Sequence, residues 1–104
     1  QPKAIEIAGG VGIIAEVEAV DPGLDAETAA LRRRRIGFYQ RAGFIPCPFP
    51  NRIFDVHYLV HLWHPAAPEH PAPSVAAALD TLYALQYPDA EYRNNVFIDV
   101  PEEG

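Results

Sequence analysis

The chain contains no methionine and only one cysteine in 104 residues, and long uncharged apolar runs are missing altogether. A lone cysteine has no partner, so no internal disulfide framework holds the fold, and its usage suits a reducing compartment. A membrane-crossing helix needs about 20 consecutive apolar residues, and no stretch approaches that. A basic start followed by an apolar middle, the mark of a secretory leader, is also lacking. These absences predict a cytoplasmic protein that crosses no membrane. Basic residues are few, 8 against 14 acidic ones, and the formal charge of -6 argues against a general binder of nucleic acid. Because residue 1 is glutamine, the sequence predicts either a trimmed start or a missing upstream segment.

What is present reads as one globular domain with a thin core, at 49% hydrophobic and 21% charged residues. Residues 1–8 carry no firm pattern beyond the alternation of Ile5 and Ile7. Gly9, Gly10 and Gly12 are turn or close-approach positions. They do not form a phosphate cradle, because such loops follow a strand and open a helix, whereas this run precedes a strand. Val11–Glu18 is that strand, and its two carboxylates, Glu16 and Glu18, need partners if they are buried.

After the turn at Asp21-Pro22-Gly23, Asp25 caps a helix, with Thr28 at its third position. The helix runs to about Ala42, and Gly43 supplies the left-handed stop. Projection at 100° per residue places Leu31, Phe38 and Ala42 inward, flanked by Arg35, Thr28 and Tyr39 and continued by Arg32 and Ile36. Arg33, Arg34, Gln40 and Arg41 face away. Arg33 and Arg34 are then solvated, while Arg32 and Arg35 border the inward arc and require an anion. That anion is either Glu16 or Glu18 on the preceding strand or a bound phosphate.

Phe44–Pro50 has prolines at 46, 48 and 50, which remove every amide on one side of an extended segment. It can pair on one side only, so it belongs at a sheet edge. Asn51-Arg52 reads as a turn and Ile53–Trp63 as an alternating strand rich in β-branched and aromatic residues. Pro65–Pro73 is a loop. Ser74 caps a second helix that ends near Tyr87-Pro88 and whose apolar face is Val75, Ala78, Leu79, Leu82 and Leu85. Residues 95–100 form a short strand or an extended arm. The fold class is α/β, with a mixed, mainly antiparallel sheet, a strand–helix–strand unit and a C-terminal helix.

The strand ending Glu16-Val17-Glu18, followed by the Arg-x-x-x-Phe-Tyr-x-Arg-x-Gly-Phe pattern of Arg34–Phe44, resembles the C-terminal half of the GNAT superfamily of acyl-CoA N-acyltransferases. The resemblance covers residues 10–63 well and the remainder loosely. It implies transfer of an acetyl group from acetyl-CoA, as co-substrate, directly to a small-molecule or peptide amine. Tyr39 matches the general acid that protonates the departing thiolate; a phenol's ordinary pKa of about 10 lies near that of a free thiol. Strand 11–18, through Val17, is the one beside which the sheet parts for pantetheine, and Arg32 and Arg35 are the arginines offered to a phosphate. The strand after the edge strand folds back between it and the first one.

The family's pyrophosphate loop, Arg/Gln-x-x-Gly-x-Gly/Ala opening a helix, is not in this sequence. A half-fold of this kind leaves strand 11–18 with an open edge, for a second copy or the missing half to pair with. The alternative expectation is an incomplete, non-catalytic module that acts in oligomerisation or ligand binding. No metal is expected. His57 and His61 on one strand stand about 13 Å apart, and Cys47 between prolines lacks the base an acyl nucleophile needs.

Overall fold

Residues 2–102 are described by a computed structural model, so Gln1 lies outside the description. The chain opens with a hairpin of β1 (Lys3–Ile7) and β2 (Gly10–Glu18), joined by Ala8 and Gly9. Both loop residues have positive φ, 50° and 74°, the mirror-image turn whose twist suits a two-residue hairpin. The glycines that follow have a packing reason. A Cβ on Gly12 would stand 2.9 Å from His64 Cδ2 and 3.0 Å from both Leu62 Cδ1 and the Trp63 carbonyl. Glycine is therefore the residue that lets the buried His64 ring lie across this strand.

Helix α1 spans Ala26–Arg41. Asp25 accepts the Thr28 amide at 2.7 Å and the Thr28 hydroxyl at 2.9 Å, filling the N-cap role. At the other end Gly43 has φ +94°, its amide bonds the Gln40 carbonyl and the Phe44 amide bonds the Tyr39 carbonyl. This pair of bonds is the Schellman stop, which satisfies carbonyls that the last turn leaves free. The chain then enters β3 (Ile45–Pro46). The Cys47 amide donates to the Val60 carbonyl, so the odd-numbered amides face the neighbouring strand and the prolines face outward.

The four-stranded sheet has the order β1-β2-β5-β3, with every neighbouring pair antiparallel. Here β5 is Tyr58–Trp63 and lies between β2 and β3, with β3 at the edge, as the prolines require. The expectation of an α/β chain with an antiparallel sheet thus holds. The strand predicted over Ile53–Trp63, however, is two elements. Asn51–Ile53, which includes the predicted turn, is β4, and it pairs with β6 (Val96–Ile98) in a second small sheet. Phe54 and Asp55 separate it from β5 with φ of 49° and 64°, and Ile53 and Val56 close the turn by reciprocal amide bonds. Alternation alone does not reveal such a break, because a phenylalanine at positive φ carries no turn signature.

Helix α2 (Ala72–Gln86) begins two residues before Ser74, which makes no capping bond. Proline is tolerated in a first turn, where amides lack intrahelical partners, so Pro73 sits inside the helix and Pro71 precedes it. Val75, Ala76, Leu79 and Tyr83 pack it onto Ile14, Val60 and Leu62 on the even face of β2 and β5, and onto Ile5 beside them on β1. Leu85, placed on the apolar face by spacing, is 81% exposed. A third helix, α3 (Asp89–Asn95), leads into β6 and was not foreseen.

Helix α1 packs against β2 and β3 on the other face of the sheet, and it is rotated from the arc expected for it. Phe38 is 61% exposed and Leu31 is 39% exposed, whereas Ala29 is buried and Arg32, Ile36 and Tyr39 are half-buried. Two anchors set this rotation. Arg32 reaches Glu18 and the Ala19 carbonyl, and the ring of Tyr39 meets that of Phe44. The projection weighted the two largest apolar side chains and missed that an arginine fixes the helix.

Replacing Gly12 by alanine is expected to destabilise the fold by about 1–3 kcal/mol, because two of the three obstructing groups belong to the neighbouring strand and one is main chain. The measurement is urea denaturation of both proteins. A variant of unchanged midpoint would show that the His64 ring moves aside freely.

Candidate functional site

The candidate site is built from the last half of β2, the helix that follows and the strand that returns beside it. β1 pairs with β2 only over Gly10–Ile14. The expected open edge over 11–18 is therefore corrected: residues 11–14 are covered by the hairpin, and 15–18 have no strand on that side among the described residues. On the other side β5 pairs Ile13–Glu18 in full. The Ala19 amide donates to the His57 carbonyl. By the alternation of main-chain groups along a strand, Ala15 and Val17 also point to β5, and Glu16 and Glu18 present their amides and carbonyls to the bare side. Val17 is 4% exposed, with its main chain committed to β5. The groups on the bare edge are those of its two neighbours.

Tyr39 lies one turn before the Schellman stop, half-buried, with its ring edge-to-face against Phe38 at 5.4 Å and Phe44 at 5.3 Å. The predicted phosphate arginines both turn to Glu18. Arg32 Nη2 lies 2.9 Å from its Oε2, with Nη1 on the Ala19 carbonyl at 3.0 Å. Arg35 Nη1 is 3.5 Å from Oε1. Both arginines thus lie against a carboxylate of the preceding strand.

Glu16 has a separate set of partners. Lys3 Nζ stands 2.5 Å from Oε1, and the Tyr83 hydroxyl donates to Oε2 at 2.5 Å. Burial, followed by the bond to Glu16, pushes the Tyr83 phenol far above its ordinary value, so it remains a proton donor. Tyr58 is also raised, first by burial and then by the charges of Glu16 and Glu18. Nothing local indicates that Lys3 and Tyr83, 80 residues apart, meet; a strand through Lys3, Ile5 and Ile7 puts Lys3 on this face.

Gln40, placed outward by the projection, reaches inward. Its amide nitrogen is 3.3 Å from Nε2 of His61, which is fully buried. His61 Nδ1–H donates to the Leu59 carbonyl at 3.0 Å, which assigns the neutral tautomer with Nε2 as acceptor. Burial lowers the pKa of this imidazole. The other histidines are dispersed. His57 pairs with Asp21 at 3.0 Å, His64 bonds the Ile7 carbonyl, and no group of three or more metal-ligating side chains occurs among the described residues. Cys47 is 1% exposed and burial pushes its thiol up to about 11, which disables it as a nucleophile at neutral pH.

A surface cavity of about 780 Å³ lies between β3 and the start of α2, lined by Cys47, Glu69, His70 and Ser74 among several prolines. It touches none of Tyr39, Val17, Arg32 or Arg35. No helix among the described residues is long and apolar enough to cross a membrane. No family model matches the chain, and no curated protein or solved structure matches it.

His61 yields a pH prediction with a definite sign. Its folded pKa lies below the unfolded value of about 6.5, so the unfolded chain binds more protons at acid pH. Its contribution to stability is complete above about pH 6.5 and shrinks as pH falls through that value. Urea midpoints taken from about pH 7.5 to about pH 5.5 are expected to fall more steeply in the wild type than in His61→Gln. Parallel profiles would show that the buried imidazole takes up its proton as readily as a free one.

Proposed function

We propose that the chain belongs to an enzyme that transfers an acetyl group from acetyl-CoA directly to an amine, acting with a pyrophosphate-binding segment that residues 2–102 do not supply. The observation that carries this reading is the crossover from β2 through α1 to β3 with β5 inserted between the two strands. In that arrangement Tyr39 sits in the last turn of the crossover helix, with its ring against Phe44 at the entry to β3. The resemblance of Arg34–Phe44 to the acyltransferase pattern supports the same reading. In it the neutral amine attacks the thioester carbonyl, the carbon–sulfur bond breaks, Tyr39 gives its proton to the thiolate, and the proton shed by the nitrogen restores the phenol. The gap beside Glu16 and Glu18 is where the pantetheine arm would lie, with strand amides as its donors. Val17 shapes that region from within the sheet. Arg32 and Arg35 meet a phosphate only by exchanging it for Glu18.

That last feature favours a second reading, a non-catalytic module that pairs with another chain through the bare edge. Arginines already neutralised by a carboxylate give little to an incoming anion, while unpaired strand amides invite another strand.

The test compares this chain with the longest reading frame that contains it. Acetyl-CoA is expected to raise the melting temperature of the longer protein, and Tyr39→Phe in that protein is expected to lower kcat about 10²–10⁴-fold with acetyl-CoA affinity unchanged. Full turnover by Tyr39→Phe would remove the proposed acid. No stabilisation of either form, together with concentration-dependent self-association of this chain, would leave the module reading in its place.

A further inference from the structure

Glu16 and its partners form the most closely built polar cluster in the chain, and the mechanism above does not use it. Three different contacts converge on one small volume. Lys3 Nζ is 2.5 Å from the Glu16 carboxylate, 3.5 Å from the Tyr83 hydroxyl and 4.5 Å from the centroid of the Tyr83 ring. A charged hydrogen bond, a neutral oxygen and a ring face together are what a primary ammonium on an unbranched alkyl stem requires. Aromatic support continues behind it. Tyr83 stacks on Tyr87 at 6.0 Å with the planes 8° apart, and Tyr87 meets Phe54 at 5.1 Å. Phe54 holds this place at φ 49°, with its amide on the Asn95 carbonyl.

The ammonium that fills the site is the chain's own. Lys3 arrives from the edge strand β1, and 30% of its side chain is accessible, against 8% for Glu16. The ammonium is thus the more exposed member of the pair, and it is carried on a flexible stem that can move without β1. The site also adjoins the bare half of β2, since Glu16 is one of the two residues whose main chain faces that side.

We propose that Glu16 and Tyr83 form a binding site for a primary alkylammonium ion, and that Lys3 is a tethered occupant which this ligand displaces. The binding requires no acetyl-CoA and stands apart from the acyl-transfer reading. Hydrogen bonding to Glu16 selects N–H-bearing ammonium ions, so a tetraalkylammonium of similar size has the ring contact without the bond. Glu18 does not compete for the ligand, because Arg32 and Arg35 already flank it.

The probe is n-butylammonium, titrated into the wild type, Lys3→Ala and Lys3→Ala/Glu16→Gln, with binding read from tyrosine fluorescence and from the shift in melting temperature. A tethered competitor lowers apparent affinity by the fraction of time it leaves the site open, so Lys3→Ala is expected to bind at least about tenfold more tightly than the wild type. Saturation should vanish with Glu16→Gln and should not occur with tetramethylammonium or n-butanol. If the double variant fails to fold, Lys3→Ala/Tyr83→Phe keeps the ring, removes one oxygen and is expected to weaken binding. Absence of saturable binding to Lys3→Ala overturns the proposal, as does equal affinity in wild type and Lys3→Ala. Because acetyl-CoA is absent throughout, these results are separate from any failure of acyl transfer.

Discussion

The sheet is arranged by what β3 is unable to do. Prolines at 46 and 48 leave that segment one bonding side, and the Cys47 amide commits it to Val60 on β5. β5 must therefore pair with β3 on one side and find its other partner in β2, which it does over six residues. With β5 inserted, β2 and β3 run parallel without touching, and the connection between them has to cross a sheet face. Helix α1 makes that crossing, and its length and ends are fixed independently by Asp25 and Gly43. The position of Tyr39 near the edge of the sheet thus follows from an amide that proline lacks.

The two carboxylates of β2 show how one strand serves two purposes. Glu16 and Glu18 lie on the same face, two residues apart, yet one is nearly enclosed and the other is at the strand end within reach of the crossing helix. Glu18 anchors α1: its two arginines set the rotation of a helix that buries little apolar surface, and Phe38 is left in water as the result. An enclosed carboxylate must be paired or lose its charge, and Glu16 meets that demand with an ammonium and a phenol drawn from β1 and α2. The first pair fixes a helix against the sheet, and the second joins the two ends of the chain.

Local chemistry was legible in the sequence wherever a residue type has one conformational meaning. Asp25 as cap, Gly43 as stop and the alternate prolines of β3 all read correctly, because each depends on its own main chain. Reading failed where the cause lay elsewhere in the chain. The break at Phe54–Asp55 is imposed by pairing of β4 with β6 and by the Phe54 amide on the Asn95 carbonyl. The rotation of α1 depends on an arginine whose partner is on another element. Gly12 marked a close approach, but the His64 that approaches is 52 positions later. Of the candidate site, the strand, the helix and Tyr39 were visible in advance, whereas Lys3, Tyr83 and Gln40 enter only through packing.

These long-range contacts share a consequence for how the site would respond to its surroundings. His61 is neutral and accepts from Gln40 across the interface of β5 and α1, so the helix that carries Tyr39 is tied to the sheet by a bond whose present direction depends on an unprotonated Nε2. At the opposite face the Tyr83 phenol is held protonated by burial and by Glu16. One face therefore keeps an acceptor unprotonated while the other keeps a donor protonated, and both states coincide near neutral pH. Of these two groups only His61 can gain a proton as pH falls, since the phenol already carries its own, so the response to acid lies on the α1 face.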